Sequence, residues 1–131
     1  MIFVDHFTIY TWIYLLRHKS DLSSLFPKFK ALVEEFFNTP IVTIYSDGGG
    51  EYTTLQSLIA SYSIQDLKIP PYTPQHNGLA KRRHSHIVEI GLTLLYQTPI
   101  SLLYWSYAFL TTTYLINRLP SYIHSQSCIS A

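Results

Sequence analysis

A stiff, proline-marked arm running into an amphipathic helix constrains this chain more than any other stretch. It reads PPYTPQHNGLAKRRHSHIVE, residues 70–89. Pro70, Pro71 and Pro74 fix three φ angles and push the residues before them toward extended backbone, so the approach to the helix is rigid. Asn77 and Gly78 are turn formers and Asn77 is a good N-cap, which predicts a helix from Leu79 onward. Along it Leu79, Ile87, Ile90, Leu94 and Leu95 share one side, while Lys81, Arg82, His84, Ser85 and Glu89 lie off it. Cationic side chains beside the free N–H groups of a helix N-terminus suit a polyanion, and phosphate is the commonest one. On charge alone, the plainer account is a solvated helix face.

Upstream of the arm, strand and helix signals alternate. Residues 2–5 and 11–16 are short β-rich runs separated by residues 6–10, and they predict an antiparallel hairpin. Ser20 is a candidate N-cap for a helix reaching Asn38, with Leu22, Leu25, Phe26, Phe29, Leu32, Val33, Phe36 and Phe37 at helical spacing. Pro27 falls early enough to bend its start rather than end it. Residues 41–45 are a buried-strand run ending in SDGGGEY, residues 46–52. An aspartate at the carboxyl end of a strand, followed by glycines, is where an α/β sheet exposes a metal-binding carboxylate, although Asp-Gly is first of all a turn former. Residues 53–62 then read as a short helix with Leu55, Leu58 and Ile59 inward, and residues 64–69 as a strand. After Thr98-Pro99 a last helix spans residues 101–119, with its core side expected at 102, 105, 108, 109, 115, 116 and 119. Residues 121–131 form a polar tail.

The chain is 131 residues long, enough for one domain. Its net charge of +1 gives no global signature of a nucleic-acid binder, so any such case rests on the cluster from Lys81 to Arg83. The single cysteine, Cys128, excludes an internal disulfide and a cysteine-rich zinc site, and suits a reducing, intracellular compartment. Residues 90–117 carry no Asp, Glu, Lys or Arg. Pro99 and the run from Thr111 to Thr113 interrupt them, which favours a core helix over a membrane span. His84 and His86, two apart on a helix, point to different faces and make no zinc pair. Cys128 with His124 is a thin case for a thiol nucleophile. Neither a phosphate-binding GxxxxGK[ST] loop nor a hydrolase GxSxG is present.

Four segments carry a resemblance to copia-type retrotransposon integrases. VDHFTIYTW resembles VD-[DH]-F-S-R-Y-T-W, with Ile9 where the family has a basic residue. SDGGGEY resembles SDNGGE-[FY], with Gly48 for Asn. PYTPQHNGLAKRR resembles PYTPQ-x-NG-[VL]-A-E-R-x-x-R, and YWSYAFLTTTYLINRLP resembles YW-x-x-A-x-x-x-A-x-YL-x-NR-x-P. The likeness covers residues 1–120, read as one integrase catalytic core. It implies an α/β, RNase H-like mixed sheet flanked by helices, in which three carboxylates hold two Mg²⁺ or Mn²⁺ ions for phosphoryl transfer. Asp5 belongs to the second strand of that fold and is not one of the three. The second acid is Asp47. The first lies on a preceding strand that this sequence does not include, and the glutamate position is Lys81. An ammonium within about 5 Å of a metal site opposes it by energies on the order of kcal/mol, even at an effective dielectric near 20. Glu89, about 12 Å further along the helix, is too distant to substitute, and Glu51 could add at most one oxygen to Asp47.

The resemblance therefore implies an integrase catalytic core by ancestry, without strand-transfer activity in its present form and with metal binding at Asp47 in doubt. One alternative is a non-catalytic nucleic-acid-binding module that keeps Tyr72, Gln75, Asn77, Arg82 and Arg83 as weak, electrostatic DNA contacts. Another is a pseudogene-like fragment with no function. A second copy of the chain is a candidate partner, a membrane is not, and a functional chain would work in the nucleus. In the implied sheet the first strand is central, between residues 2–5 and 41–45. Without it those edges would lie nearly 10 Å apart, given a strand spacing of about 4.8 Å. Three outcomes are expected: direct pairing of 2–5 with 41–45, a borrowed strand, or a partly molten state of low solubility.

Overall fold

The structure, a computed structural model, describes residues 1–46, 52–68, 74–98 and 101–119. The elements in chain order are β1 (Ile2–Val4), β2 (Thr11–Ile13), a 3-10 turn (Lys19–Asp21), α1 (Leu22–Phe37), β3 (Thr43–Ser46), α2 (Tyr52–Ser61), β4 (Gln65–Lys68), α3 (Pro74–Gln97), a 3-10 turn (Leu102–Tyr104) and α4 (Trp105–Ile116). The α/β class is as expected, but the strands form two separate two-stranded sheets, β1-β2 and β3-β4, rather than one mixed sheet. Direct pairing of residues 2–5 with 41–45 does not occur among the described residues. The chain divides into two compact units, Met1–Leu15 with Gly78–Ala131, and Leu16–Asn77.

In the first unit β1 and β2 make the expected antiparallel hairpin, with Ile2↔Ile13, Phe3↔Trp12 and Val4↔Thr11 in register. Its connection is tied by Asp5, whose Oδ2 accepts from both the backbone N–H and the hydroxyl of Thr8, each at 2.6 Å. The Asp5 N–H donates to the Tyr10 carbonyl at 2.9 Å, and Ile9 N–H to the Asp5 carbonyl at 2.9 Å. The loop turns back through Ile9 at φ 60, an uncommon conformation for a β-branched residue, which is kept because the side chain is buried.

Mutual bonds between the Met1 and Tyr14 backbones, together with Asp5 to Tyr10, set the alternation of the ladder. Val4↔Thr11 therefore falls at a pair that does not exchange ladder bonds, and the Thr11 N–H and C=O face away from β1. Thr11 is only 1% exposed, so these groups need partners inside the protein. Asn117, at the end of α4, supplies both. Its Oδ1 accepts from the Thr11 N–H at 2.9 Å and its Nδ2 donates to the Thr11 carbonyl at 2.8 Å.

The α4 helix buries only part of the side expected: Ile116 is buried and Ala108 and Phe109 are half-buried, in line with expectation. Thr112, Thr113 and Ile116 are buried, whereas Leu102, Trp105, Leu115 and Leu119 are exposed. The helix is apolar almost all round, so hydrophobicity does not select a face. The threonines tolerate burial because their hydroxyls donate back to the carbonyls of Ala108 and Phe109 at 2.8 and 2.9 Å. Between α3 and α4 the approach is close: a Cβ on Gly91 would meet the Phe109 ring at 3.2 Å. No described helix is long and apolar enough to cross a membrane.

In the second unit α1 buries Leu22, Phe26, Phe29 and Val33, spaced i, i+4, i+7, i+11, while Leu32 and Phe36, expected inside, are exposed. The start also differs from expectation. Asp21 rather than Ser20 is the cap residue, and its carboxylate accepts from the His18 N–H at 3.0 Å instead of capping the helix. The helix ends at Asn38 in the left-handed region, φ 50. Glu34 joins this end to the next strand, accepting from the Ile41 N–H at 2.9 Å and from Lys30 at 2.6 Å. The Lys30 hydrogen bond, and then the Ile41 one, hold the Glu34 carboxyl below the usual carboxylate range. β3 and β4 pair in parallel, from Thr43↔Gln65 to Ser46↔Lys68, with α2 as their crossover, as a parallel pair requires. Leu55 and Ile59 of α2 are buried, as read from the sequence.

The Asn117 clamp makes a direct prediction. Asn117→Ala strands two buried backbone groups at about 1 to 3 kcal/mol each, so stability measured by urea unfolding should fall by roughly 2 to 6 kcal/mol. A loss below about 0.5 kcal/mol, typical of a surface substitution, would show that water reaches Thr11 without cost.

Candidate functional site

Two segments bear the residues singled out by sequence. The first is the carboxyl end of β3, where Ser46 is 2% exposed. Its hydroxyl donates to Asp66 Oδ1 on β4 at 3.2 Å, and Gln56 Nε2 from α2 donates to Asp66 Oδ2 at 3.1 Å. Strand, neighbouring strand and crossover helix are thus joined at one carboxylate, immediately before the position from which Asp47 continues the chain. Asp47, Gly48 and Glu51 themselves lie outside the described residues, as does Tyr72. The sequence reading overlooked Asp66. Its one signal was an acidic residue within residues 64–69, a run otherwise read as a strand, where a half-buried carboxylate needs donors.

The second segment is α3. It begins at Pro74, not at Leu79, so Asn77 and Gly78 lie inside the helix rather than forming a turn and cap. Proline suits the first helical position, where its fixed φ is already helical and no N–H is missed. The free N–H groups of the helix therefore belong to its first four residues, and Lys81, Arg82 and Arg83 stand about two turns further in. Gln75 and Asn77 lie in that first turn, their side chains outside the description. An anion held at these cations would be held by side chains, not by the helix terminus.

The three cations differ in their surroundings. Lys81 is exposed, and no hydrogen bond or ion pair engages it among the described residues. Arg82 is also exposed, but its Nε donates to the Gly78 carbonyl at 3.0 Å, laying the guanidinium back along the helix. A Cβ at position 78 would stand 3.7 Å from its Nη2, an ordinary contact, so the arrangement does not require glycine there. Arg83 is half-buried on the side of Ile87, which is fully buried, and desolvation lowers its pKa from the usual arginine value. At 100° per residue the three cannot share one face. His84, Ser85 and Glu89 are exposed, as expected, and so is His86. Among the described residues no group of three His, Cys, Asp or Glu side chains is placed to hold a metal ion. Cys128 and His124 fall outside the described residues.

No protein-family profile matches the chain. It is 52% identical over 121 residues to the retrovirus-related Pol polyprotein from transposon RE2 of Arabidopsis thaliana, covering 92% of this chain. It is 53% identical over the same length to that from transposon RE1 of the same plant, and 38% identical to that from transposon TNT 1-94 of Nicotiana tabacum. The chain spans only 8 to 9% of the length of these relatives. Its fold is similar to that of a chain in the simian T-cell lymphotropic virus intasome in complex with PP2A regulatory subunit B56 gamma. That match has a TM-score of 0.71 at 20% identity and covers 95% of this chain and 44% of the other.

The carboxylate at the end of β3 is open to test. Asp66→Ala leaves the buried Ser46 hydroxyl without its acceptor, and urea unfolding should show a loss of about 1 to 3 kcal/mol. Equal stability of variant and parent would mean that Asp66 does not anchor the end of β3.

Proposed function

We propose that this chain, a member of the copia-type retrotransposon Pol/integrase family with an integrase catalytic domain as its ancestor, is a catalytically silent form of that domain. The observation that carries the reading is Lys81. In the family pattern PYTPQ-x-NG-[VL]-A-E-R the position after the alanine is the metal-binding glutamate, and here it is an exposed ammonium. A pair of divalent cations about 3.5 to 4 Å apart needs carboxylates between and beside them to neutralise their mutual repulsion. Replacing one carboxylate by a cation changes the charge at that ligand position by two units and removes a donor oxygen. Glu89 does not compensate, being about 12 Å away along α3 at 1.5 Å per residue. With a cation at position 81 the donors do not fit the two-metal site, even with Asp47 standing at the second acid of the family pattern.

Nucleic-acid contact survives this loss in the proposed reading, because it depends on other groups. Tyr72, Gln75, Asn77, Arg82 and Arg83 match the family pattern or lie directly beside it. Arg82 is supported by its position: exposed, and oriented by the Gly78 carbonyl. Binding of this kind is electrostatic and indifferent to sequence. Membership of a DNA-integrating family supports DNA as the partner, and a second copy of the chain as a possible companion on it.

Two measurements check this. Purified chain, incubated with a donor duplex and Mg²⁺ or Mn²⁺, should give neither nicking nor strand transfer. Robust metal-dependent strand transfer by the unaltered chain would overturn the silent reading. Arg82→Ala with Arg83→Ala should weaken binding to all duplexes alike and lower the salt slope by roughly one unit per lost phosphate contact. An unchanged slope would reduce the basic segment to a solvated helix face.

A further inference from the structure

The mismatch at position 81 has its own chemistry. Lys81 has no carboxylate within one helical turn: positions 77, 78, 84 and 85 are Asn, Gly, His and Ser, and the first acid along α3 is Glu89. Of the three adjacent cations it is the one whose head group no described residue engages, since Arg82 is engaged by the Gly78 carbonyl and Arg83 is half-buried. The residues that share its side of the helix, His84 at i+3 and Ser85 at i+4, are both exposed and both able to donate. Along α3 itself this makes a small donor face with no acidic residue within a turn, two turns inside the helix. An ammonium with two donors beside it matches the oxygens of a phosphodiester, which accepts several hydrogen bonds and carries one negative charge.

We propose that Lys81, with His84 and Ser85 beside it, is a direct and metal-independent contact for a nucleic-acid phosphate, its ammonium occupying the electrostatic role that a glutamate-bound cation would fill. The inference rests on the reading of the chain as a silent integrase core, since only a position released from holding metal can carry a permanent positive charge. It makes the sign of one residue decide how the domain meets DNA. With glutamate at 81 the phosphate would be repelled unless a divalent ion intervened, whereas with lysine it is attracted without one.

The test is fluorescence anisotropy of a short labelled DNA duplex with the purified chain, at matched ionic strength in EDTA and in Mg²⁺, with circular dichroism confirming equal helix content across variants. The parent chain should bind equally in both buffers. Lys81→Glu should bind about tenfold more weakly in EDTA, with a salt slope lower by about one unit, and should recover part of that loss in Mg²⁺. Lys81→Arg should retain parental affinity. Equal affinity of parent and Lys81→Glu in EDTA, or no duplex binding by the folded parent, would overturn the proposal. Neither result bears on strand transfer, so the silent-domain reading stands or falls separately on the activity assay.

Discussion

The carboxamide of Asn117 is the interaction on which the first unit depends. The hairpin β1-β2 is too short to satisfy its own outer edge, and a two-stranded hairpin in isolation is marginal in water. By presenting an acceptor and a donor side by side, Asn117 supplies Thr11 with what a third strand would have given it, across 106 residues of sequence. That geometry holds only if α4 ends at the right height beside β2. The end of α4 is set in turn by its close approach to α3 at Gly91 and Phe109, and by the threonines that turn their hydroxyls inward onto their own helix.

The second unit is organised by carboxylates in a comparable way. Glu34 ties the end of α1 to the chain entering β3, and Asp66 ties the end of β3 to both β4 and α2. Every one of these fold-holding contacts involves a residue other than 81. Lys81 is exposed on a helix surface, where substitution typically changes stability by no more than about 0.5 kcal/mol. A change at position 81 is therefore compatible with an unaltered scaffold.

Much of this was legible in the sequence, and each failure has a physical reason. The hairpin, the long helix after it, the strands around residues 43 and 65 and the crossover between them were all readable from period and turn chemistry. The start of α3 was misplaced because Asn-Gly reads as punctuation, whereas Pro74 had already begun the helix. The inner side of α4 was partly misjudged because a helix that is apolar on all sides carries no directional signal. Leu32 and Phe36 were assigned to the core for the same reason, since α1 has more large apolar residues than one side can bury. Asp66 and Asn117 were not found because long-range hydrogen bonds leave no periodic trace. The division into two small sheets could be posed as a question from the family resemblance, but only the pairing itself answers it.

The central claim is that position 81 no longer permits a divalent metal pair to be held. Calorimetric titration of Mn²⁺ into the purified chain tests this most directly, without reference to catalysis or to DNA. The account predicts no saturable binding beyond weak, salt-screened association. Saturable uptake of two ions per chain, abolished by Asp47→Asn, would contradict it.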